Sequence, residues 1–447
     1  MDPVILARVQ FALTAGFHFL FPPLTIGLAW LIVWLMGRYR KSGAETDRRL
    51  ARFWIKLFAL SFAVGVATGI VLEFQFGTNW ARYSRFVGDI FGAPLAIEGV
   101  VAFFLESVFL GVLLFGWKLL SPRQHWFAAL MVALGSTLSA FWIIVADSWM
   151  QTPTAFILRH GRAELTDFFA AVFNPSTLPR YFHTIDAALI TGSFFMLGIS
   201  AWYLLQDRYR DEMRRTLNAA LLLGFFASVG ALLLGHWHAV QVAATQPAKL
   251  AAFEGLFTTQ RQAPMMLFGI PDAEQKTVHY AVPLPAGLSL LAHLDPNAEV
   301  QGLDKVPANE WPPVPMSFFS FHLMVALGMY FIAFTALGIL LLWTKRLYAN
   351  RTYLLLAVWS IPLPFLAANL GWMAAEIGRQ PWIVYRLMRT ADAVSVTVPA
   401  WQILASICLF SLLYAVLLYT WLRLLRHELQ QGLEAPATTS TVTEVTA

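Results

Sequence analysis

Two glutamates stand inside an otherwise apolar stretch, APLAIEGVVAFFLES, which covers residues 93–107. If this stretch is a regular α-helix, Glu98 and Glu106 are separated by a rotation of about 80° and a rise of about 12 Å. A carboxylate is costly to bury in hydrocarbon, and one that is found there commonly belongs to an ion or proton route. The spacing therefore favours two steps of a proton route, with a structural hydrogen bond at each glutamate as the alternative.

Two histidines lie among aromatic residues in other apolar stretches, His18 in FALTAGFHFLFPPL and His183 in YFHTIDAALITGSFF. Neutral imidazole binds iron well, and an aromatic surround can pack a porphyrin. Met324 in FHLMVALGM is a candidate for a His/Met pair, a low-spin haem ligation that raises the reduction potential. The alternatives are histidines bonded to a neighbouring helix and a methionine that fills the core.

The stretch GWMAAEIGRQPWIVY (371–385) leaves an apolar run with two opposite charges. Glu376 and Arg379 are i, i+3 partners on one helical face. Such a pair can simply cap the end of a helix. It can also present a carboxylate to a metal or haem, and an arginine to an acidic group such as a haem propionate. The residues alone leave both interpretations open.

The chain that must position these side chains has the composition of a membrane protein. Of its 447 residues, 58% are hydrophobic and 13% are charged, and the mean hydropathy is +0.61. Soluble domains average about 25% charged residues. The formal charge of +5 does not indicate nucleic-acid binding, because the basic residues lie in short loops between apolar runs. The single cysteine, Cys408, excludes a disulfide framework.

Nine apolar runs reach the length of about 20 residues that crosses a bilayer. Basic residues follow every odd-numbered run, which predicts an N-terminus outside the membrane and a C-terminus in the cytoplasm. The predicted fold is therefore an all-α bundle of transmembrane helices. The predicted spans are 11–36, 53–74, 93–117, 125–147, 184–206, 217–239, 317–343, 352–374 and 400–422.

The chain divides into four predicted parts. Residues 1–239 hold spans one to six, with the proton-route and high-spin haem candidates, and residues 317–425 hold spans seven to nine. Between them, 240–316 is a long outer loop, and a loop of this length is usually functional or disordered. Residues 426–447 are low in bulky apolar residues and are predicted to form a disordered cytoplasmic tail. Shorter outer connections are predicted at 75–92, 148–183 and 375–399.

Six stretches, in order along the chain, resemble subunit I of the cytochrome bd quinol oxidases, a group that includes the cyanide-insensitive oxidases. The resemblance runs from about residue 5 to about residue 425, through every predicted span. The motif GRQPW after an intramembrane glutamate and the motif GDIFGAPLAIEG are very specific. The stretches are RVQFALTAGFHFLFPPLTIG, GVATGIVLEFQFGTNW, VGDIFGAPLAIEGVVAFFLES, TGSFFMLGISAWY, FGIPD and GWMAAEIGRQPW.

This resemblance implies a terminal oxidase in the bacterial cytoplasmic (inner) membrane. Such an enzyme oxidises ubiquinol or menaquinol at the outer face and reduces dioxygen to water with protons from the cytoplasm, which generates a proton-motive force without pumping. The family carries a low-spin haem b, a high-spin haem b and a haem d, or a third haem b in its place. It also implies a second membrane subunit and, in many members, a single-span small subunit. No role for nucleic acid is implied.

The resemblance also assigns the haem ligands residue by residue. His183 and Met324 match the two axial ligands of the low-spin haem b. His18 and Glu376 match the axial ligands of the two high-spin haems. Which of these two residues holds haem d is left open.

Further matches concern the surroundings of the haems and the proton supply. Glu98 and Glu106 match the acidic residues of the proton route to the oxygen-reducing haems. Trp372 and Arg379 match residues that pack near the haems. The resemblance thus implies that the proton route suggested by the spacing of the two glutamates leads to the oxygen-reducing haems.

Quinol oxidation is assigned by the resemblance to the loop between the sixth and seventh spans. Lys249 and Glu254, in QPAKLAAFEGLF, match its quinol-site residues. The removal of electrons from a quinol also requires a base for its protons, and a loop carboxylate can supply one. The loop resembles the shorter form found in the family, which leaves the type of quinone open.

Two residues depart from the pattern of the family. His322 occupies a position where some members have an arginine, two residues before the ligand methionine. An imidazole there would change propionate pairing and the potential of the low-spin haem. Asp147, in VADSWMQTP, stands where an asparagine is common and adds a negative charge near the outer boundary of the membrane.

Other classes of membrane protein fit less well. A haem–copper oxidase needs a histidine pair, and no two histidines are adjacent in this sequence. A cytochrome b of the bc type needs two helices that each carry two spaced histidines, whereas His18, His183 and His322 stand alone in their spans. The remaining alternative is a proton-coupled transporter, in which the buried carboxylates would bind substrate and protons.

Overall fold

The computed structural model describes residues 2–434, most of which are helical. Within that part of the chain, nine stretches are long and apolar enough to cross a membrane, which confirms the predicted all-α bundle with nine spans. The helices are α1 (Pro3–His18), α2 (Phe21–Ser42), α3 (Glu45–Thr78), α4 (Ala81–Ile97), α5 (Phe104–Phe115), α6 (Pro122–Gln151), α7 (Phe168–Val172), α8 (Thr177–Leu205), α9 (Arg210–Thr245), α10 (Pro247–Glu254), α11 (Gly287–His293), α12 (Val314–Trp343), α13 (Arg351–Trp359), α14 (Leu363–Ile377), α15 (Thr390–Ala393) and α16 (Ala400–Gln431).

Three of the nine spans are built from more than one helical segment. The first joins α1 and α2, the third joins α4 and α5 through a π-helical segment (Glu98–Phe103), and the eighth joins α13 and α14. Short antiparallel strand pairs lie in the connections: β1–β2, β3–β6, β4–β5 and β7–β8. The strands are β1 (Phe156–Arg159), β2 (Arg162–Leu165), β3 (Gln260–Arg261), β4 (Met265–Asp272), β5 (Thr277–Leu284), β6 (Glu299–Val300), β7 (Trp382–Val384) and β8 (Met388–Arg389).

The third span begins earlier than the sequence predicts. The expected connection at 75–92 is wrong, because α3 continues to Thr78 and α4 already begins at Ala81. Tyr83, Val87 and Ile90 are buried on α4 at helical spacing, so this part is an amphipathic helix. A search for uninterrupted apolar runs misses a helix of this kind.

The first span is broken directly after His18. α1 ends at this histidine, and α2 begins at Phe21 with prolines at positions 22 and 23 in its first turn. Proline is tolerated there, because the first N–H groups of a helix have no partner within the helix. His18 is therefore the last residue of a short helix rather than a residue inside a continuous one.

α2 and α8 touch backbone to backbone. A Cβ built on Gly27 of α2 would collide with the backbone around Gly192 of α8, and the reverse also holds. Glycine is therefore required at both positions for this close approach. Each glycine follows a candidate haem ligand by nine residues, His18 in the first span and His183 in the fifth.

The long connection between the sixth and seventh spans is folded. α9 continues to Thr245, so the connection is 246–313 rather than 240–316, and we call these residues the loop unit. It contains α10, α11 and the β4–β5 hairpin, and it has an apolar core of its own that includes Leu250, Phe257 and Leu288. The loop unit is therefore ordered, which excludes the disordered alternative for so long a loop. The end of the bundle that carries the loop unit is called the loop end.

The last span also extends beyond its predicted limit. α16 runs to Gln431, so the predicted boundary of the tail at residue 426 is wrong. Glu434 pairs with Arg52 at 2.8 Å and with Lys56 at 3.3 Å, which ties the chain after α16 to α3. The rest of the predicted tail, 435–447, lies outside the described residues.

Candidate functional site

His18 makes a hydrogen bond that fixes the tautomer of its ring. Nδ1 lies 3.0 Å from Oγ1 of Thr68 on α3. The Thr68 hydroxyl itself donates to the carbonyls of Val64 and Gly65, both at 3.0 Å, so its oxygen accepts the proton on Nδ1 of His18. This bond leaves Nε2 with a free lone pair, which is how iron-ligating histidines are usually held. His18 therefore fits an axial ligand of haem.

His183 offers an unsatisfied imidazole near the start of α8. Its Nδ1 is buried and has no hydrogen-bond partner among the described residues. The ring of His238 on α9 lies 6.2 Å away, measured between centroids. Buried polar atoms are normally bonded, so an unpaired buried nitrogen calls for an explanation. A histidine held in this way fits a residue whose ring binds a metal-containing group.

A glycine on a neighbouring helix lies against each sulfur or imidazole candidate. A Cβ built on Gly69 would lie 3.2 Å from Cε1 of His18, and one on Gly235 would lie 3.4 Å from Cε1 of His183. A Cβ on Gly371 of α14 would lie 2.9 Å from Sδ of Met324 on α12, closer than ordinary packing permits. The missing side chains leave room for these rings and for the thioether.

Replacement of Gly371 by alanine tests whether Met324 is a ligand. The new Cβ must displace the Met324 sulfur, so we expect a shifted low-spin haem spectrum and a lowered midpoint potential in a redox titration of the purified complex. Gly328→Ala on α12 is the matched control, because a Cβ there meets nothing within 4 Å. An alanine in a helix is otherwise favourable by roughly 0.5–1 kcal/mol. Spectra that are the same in both variants and in the parent protein would contradict the assignment of Met324.

Trp372 connects the first span with the eighth. It lies on α14, one turn before Glu376, and its ring packs against Phe11 of α1 with 6.4 Å between centroids and a tilt of 36°. The helix that ends at His18 is thus in contact with the helix that carries Glu376. The two helices that carry these predicted haem ligands therefore lie side by side.

Four charged side chains alternate in sign where α6, α8 and α14 meet at the loop end. Arg379 pairs with Glu376, the predicted i, i+3 partner, and its Nη1 lies 3.6 Å from Oδ1 of Asp147. Arg180 pairs with Asp147, and its Nη2 lies 4.0 Å from Oε1 of Glu376. Buried charges are costly unless each is paired, and here each has an opposite neighbour. Asp147, the departure from the family pattern, is therefore the counter-charge of two arginines.

Gln151 joins this charged cluster to the loop unit. Its Nε2 donates to Oε1 of Glu376 at 2.9 Å, and its Oε1 accepts from Nζ of Lys249 on α10 at 2.5 Å. Its backbone carbonyl accepts from Nε2 of Gln246 at 2.8 Å, which fixes the start of α10 against the end of α6. One side-chain amide thus connects a candidate quinol-site lysine with a candidate haem ligand.

The two candidate quinol-site residues of α10 are buried and have shifted pKa values. Burial lowers the pKa of Lys249 well below its usual value, and the nearby Arg180 and Arg379 cations lower it further. Burial raises the pKa of Glu254 to about 7, although the N–H of Met266 bonds to its carboxylate and opposes part of that rise. The carboxyl group of Glu254 can therefore exchange protons near neutral pH.

Glu98 and Glu106 face the same helix, α6, as their spacing predicts. Oε1 of Glu98 accepts from the Ser139 hydroxyl at 2.5 Å, and Oε1 of Glu106 accepts from the Ser136 hydroxyl. The regular helix assumed for their offset is wrong, since Glu98 begins the π-helical segment. Such segments are wider than an α-helix and are frequent at functional sites. The two serines are one helical turn apart, so the carboxylates lie one above the other along α6.

Several residues that hold the site were not singled out by the sequence. Gln151 and Arg180 link elements that are far apart in the chain, and Thr68, Ser136 and Ser139 each bond to one candidate. The only sequence signal is that a glutamine and an arginine stand at the ends of apolar spans. Hydroxyl residues are common in transmembrane helices and carry no such signal.

The chain is similar to known proteins along nearly its whole length. A family model for cytochrome bd terminal oxidase subunit I matches residues 6–433. The chain is 40% identical over 444 residues to cytochrome bd ubiquinol oxidase subunit 1 of Bacillus subtilis (strain 168), covering 97% of this chain and 95% of the relative. It is 36% identical over 487 residues to cytochrome bd-II ubiquinol oxidase subunit 1 of Escherichia coli (strain K12), covering 94% of each.

A solved structure matches the whole bundle. The bd oxidase from Geobacillus thermodenitrificans superimposes with a TM-score of 0.90 at 31% identity, covering 96% of this chain and 99% of the other. The match therefore includes the nine spans and the loop unit together.

Proposed function

The chain belongs to the cytochrome bd terminal oxidase subunit I family, and from this membership we propose how its own residues divide the work of a quinol oxidase. It is a multi-pass inner-membrane protein, a haem-bearing subunit of an oxidase complex that also contains a subunit II. The transporter alternative has no comparable support, because an oxidase family matches nearly the whole chain.

The proposed haem sites use the ligands named above. His183 and Met324 hold a low-spin haem b, and His18 and Glu376 hold two high-spin haems, a haem b and either a haem d or another haem b. The free Nε2 of His18, the unpaired Nδ1 of His183 and the glycine beside Met324 support these assignments. The haems supply the one-electron steps and the reduction of dioxygen. Arg379 and Trp372 pack beside them, and Arg379 pairs with Glu376 and orients its carboxyl group.

Quinol is oxidised at α10 of the loop unit in this proposal. Lys249 and Glu254 bind the hydroxyl groups of ubiquinol or menaquinol, and Glu254 accepts a proton as the quinol is oxidised. The observation that carries the proposal is the Gln151 amide, which bonds both to Lys249 and to Glu376. It brings the quinol-oxidising residues within one side chain of the charged cluster around a haem ligand.

Protons for oxygen reduction come from the other side of the membrane. We assign the loop end to the outer face, as the basic residues after the odd-numbered spans predict. Glu106 lies further from the loop end than Glu98, so protons from the cytoplasm pass Glu106 first. Release of quinol protons outside and uptake from inside separate charge without a pump. A single-span small subunit remains part of the proposal.

Replacement of Gln151 by leucine tests the bridge between the two sites. The change leaves the buried Nζ of Lys249 and one oxygen of Glu376 without their partner, so we expect quinol kcat/KM to fall by about tenfold to a hundredfold. Thr152→Val is the matched control, since that neighbouring hydroxyl bonds to Asn174 and Ser176 instead. Steady-state quinol oxidation by the purified complex measures both variants. Equal effects in the two variants would indicate a general packing role and would contradict the proposed link through Gln151.

A further inference from the structure

His322 turns towards the loop unit. It lies on α12, and its ring stacks on Phe318 of the preceding turn with 3.9 Å between centroids and a tilt of 18°. Nε2 lies 2.7 Å from the carbonyl oxygen of Met266 in β4, and Nδ1 lies 3.0 Å from the carbonyl oxygen of Phe318. Because a carbonyl only accepts, the shorter contact is a hydrogen bond that Nε2–H donates to Met266.

The backbone of Met266 links His322 to Glu254, the candidate quinol base. Its N–H donates to Oε2 of Glu254 at 3.0 Å, while its carbonyl accepts from His322. The residue opposite Met266 in the hairpin is Pro283, which has no N–H to offer. His322 thus supplies the donor that the neighbouring strand lacks, and two hydrogen bonds connect α12 with Glu254.

A second contact fixes the same register between the two helices. Phe253, next to Glu254, stacks on Phe321, next to His322, with 4.7 Å between centroids and a tilt of 3°. Adjacent residues of α10 are therefore matched to adjacent residues of α12. The stack fixes the separation of the helices, and the Met266 bonds fix the direction of the carboxylate.

We propose that His322 is a positioning residue for quinol oxidation, because its imidazole holds the loop peptide that orients Glu254. This inference rests on the proposed function, in which Glu254 accepts a proton from quinol. Among the described residues, the hydrogen bonds of the ring go to Phe318 and Met266 and not to Glu254 itself, so it acts through Met266. α12 then supports the quinol base and also carries Met324 two residues further on.

Two substitutions of similar polarity separate this role from simple packing. The amide nitrogen of His322→Gln reaches about as far as Nε2 and can still donate to Met266, whereas that of His322→Asn reaches only about as far as Nδ1. We expect His322→Asn to lower quinol kcat by about tenfold, with less change in KM, and His322→Gln to stay within about twofold of the parent. Oxygen reduction from an artificial electron donor and the low-spin haem spectrum should not change in either.

Hydrogen exchange of the β4 amides gives a readout that does not depend on activity. In His322→Asn, the peptide that contains Met266 should exchange faster, and in His322→Gln it should exchange as in the parent protein. His322→Phe, which keeps the stack on Phe318 but has no donor, should behave like the asparagine variant and serves if that variant fails to assemble. Normal exchange and normal quinol kinetics in the asparagine or phenylalanine variant would overturn the inference.

Combination with Glu254→Gln distinguishes this inference from the proposed function. If His322 acts through Glu254, then His322→Asn should add no further loss of quinol oxidation to a Glu254→Gln enzyme. Fully additive losses would overturn the role of His322 and leave the role of Glu254 intact. A Glu254→Gln enzyme with normal quinol oxidation would instead overturn the proposed quinol site itself.

Discussion

Glu254→Gln will reduce quinol oxidation by about 10²- to 10⁴-fold, the range that a positioned general base commonly contributes. The amide has nearly the shape of the carboxylate but cannot accept a quinol proton. Because Glu254 is 2% exposed, bulk water has little access to replace it. Oxygen reduction from an artificial electron donor that bypasses the quinol site should be largely preserved.

The pH dependence of quinol oxidation tests the role of Glu254 in a second, independent way. Burial raises the pKa of Glu254 to about 7, so the carboxylate is ionised above that pH and protonated below it. The ionised form is the base, and quinol kcat should therefore fall as the pH drops through about 7. The glutamine variant should lack this limb, which rate measurements between about pH 5.5 and 8.5 would show.

Glu106→Gln is the contrasting variant. Glu106 is buried against α6, and the proposal places it on the route that brings protons to the oxygen-reducing haems. Its loss should slow turnover with quinol and with an artificial donor to the same extent, since proton uptake is common to both. If Glu254→Gln also slowed turnover equally with quinol and with the artificial donor, the role of Glu254 would be in folding rather than in quinol oxidation. If Glu106→Gln left both unchanged, the proton route would lie elsewhere.

His183→Ala or Met324→Leu will remove the low-spin haem signal from the reduced-minus-oxidised spectrum while the high-spin signals remain. Neither replacement has an atom that can bind iron, and a low-spin haem requires both axial ligands. The methionine also raises the potential of such a haem, so any haem retained in Met324→Leu should titrate at a lower potential. Pigment extraction and a redox titration of the purified complex measure these changes.

His238→Ala is the matched control for the histidine. Its ring lies 6.2 Å from that of His183 and is part of the same buried region. A residue that only packs beside the site should leave the low-spin spectrum in place. Loss of the signal in His238→Ala but not in His183→Ala would exchange the two assignments. Unchanged spectra in both His183→Ala and Met324→Leu would refute the proposed ligand pair.

Local sequence patterns predict the number of spans and single out the ionisable residues inside them. Apolar runs of sufficient length predict nine membrane crossings, because lipid imposes that length on any helix that spans it. The ionisable residues inside those runs, such as Glu106 and His18, stand out for the same reason. That Glu98 and Glu106 lie on one side of their span also follows from helical spacing, even though Glu98 begins a π-helical segment.

The contacts that join the candidate residues could not be predicted in this way. Gln151 bonds to Lys249 and to Glu376, which are far from it and from each other in the chain. Periodicity reports which face of a helix is apolar, but not which helix lies opposite. The partners of Asp147 and His322 are set by tertiary packing, so only the structure shows what these departures from the family pattern contact.

The contact between Gly27 and Gly192 bears on the rate of electron tunnelling. That rate falls steeply with the separation of the cofactors, so a respiratory enzyme must keep the separation constant. In the proposed assignment, His18 and His183 hold different haems, and each stands nine residues before its glycine. The two backbones are already in contact and a packed interior resists compression, so this spacing cannot shorten. A side chain at either position would force the helices apart and lengthen the path of the electron. In the proposed assignment, two glycines that are not themselves haem ligands therefore help to set the rate of electron transfer between haems.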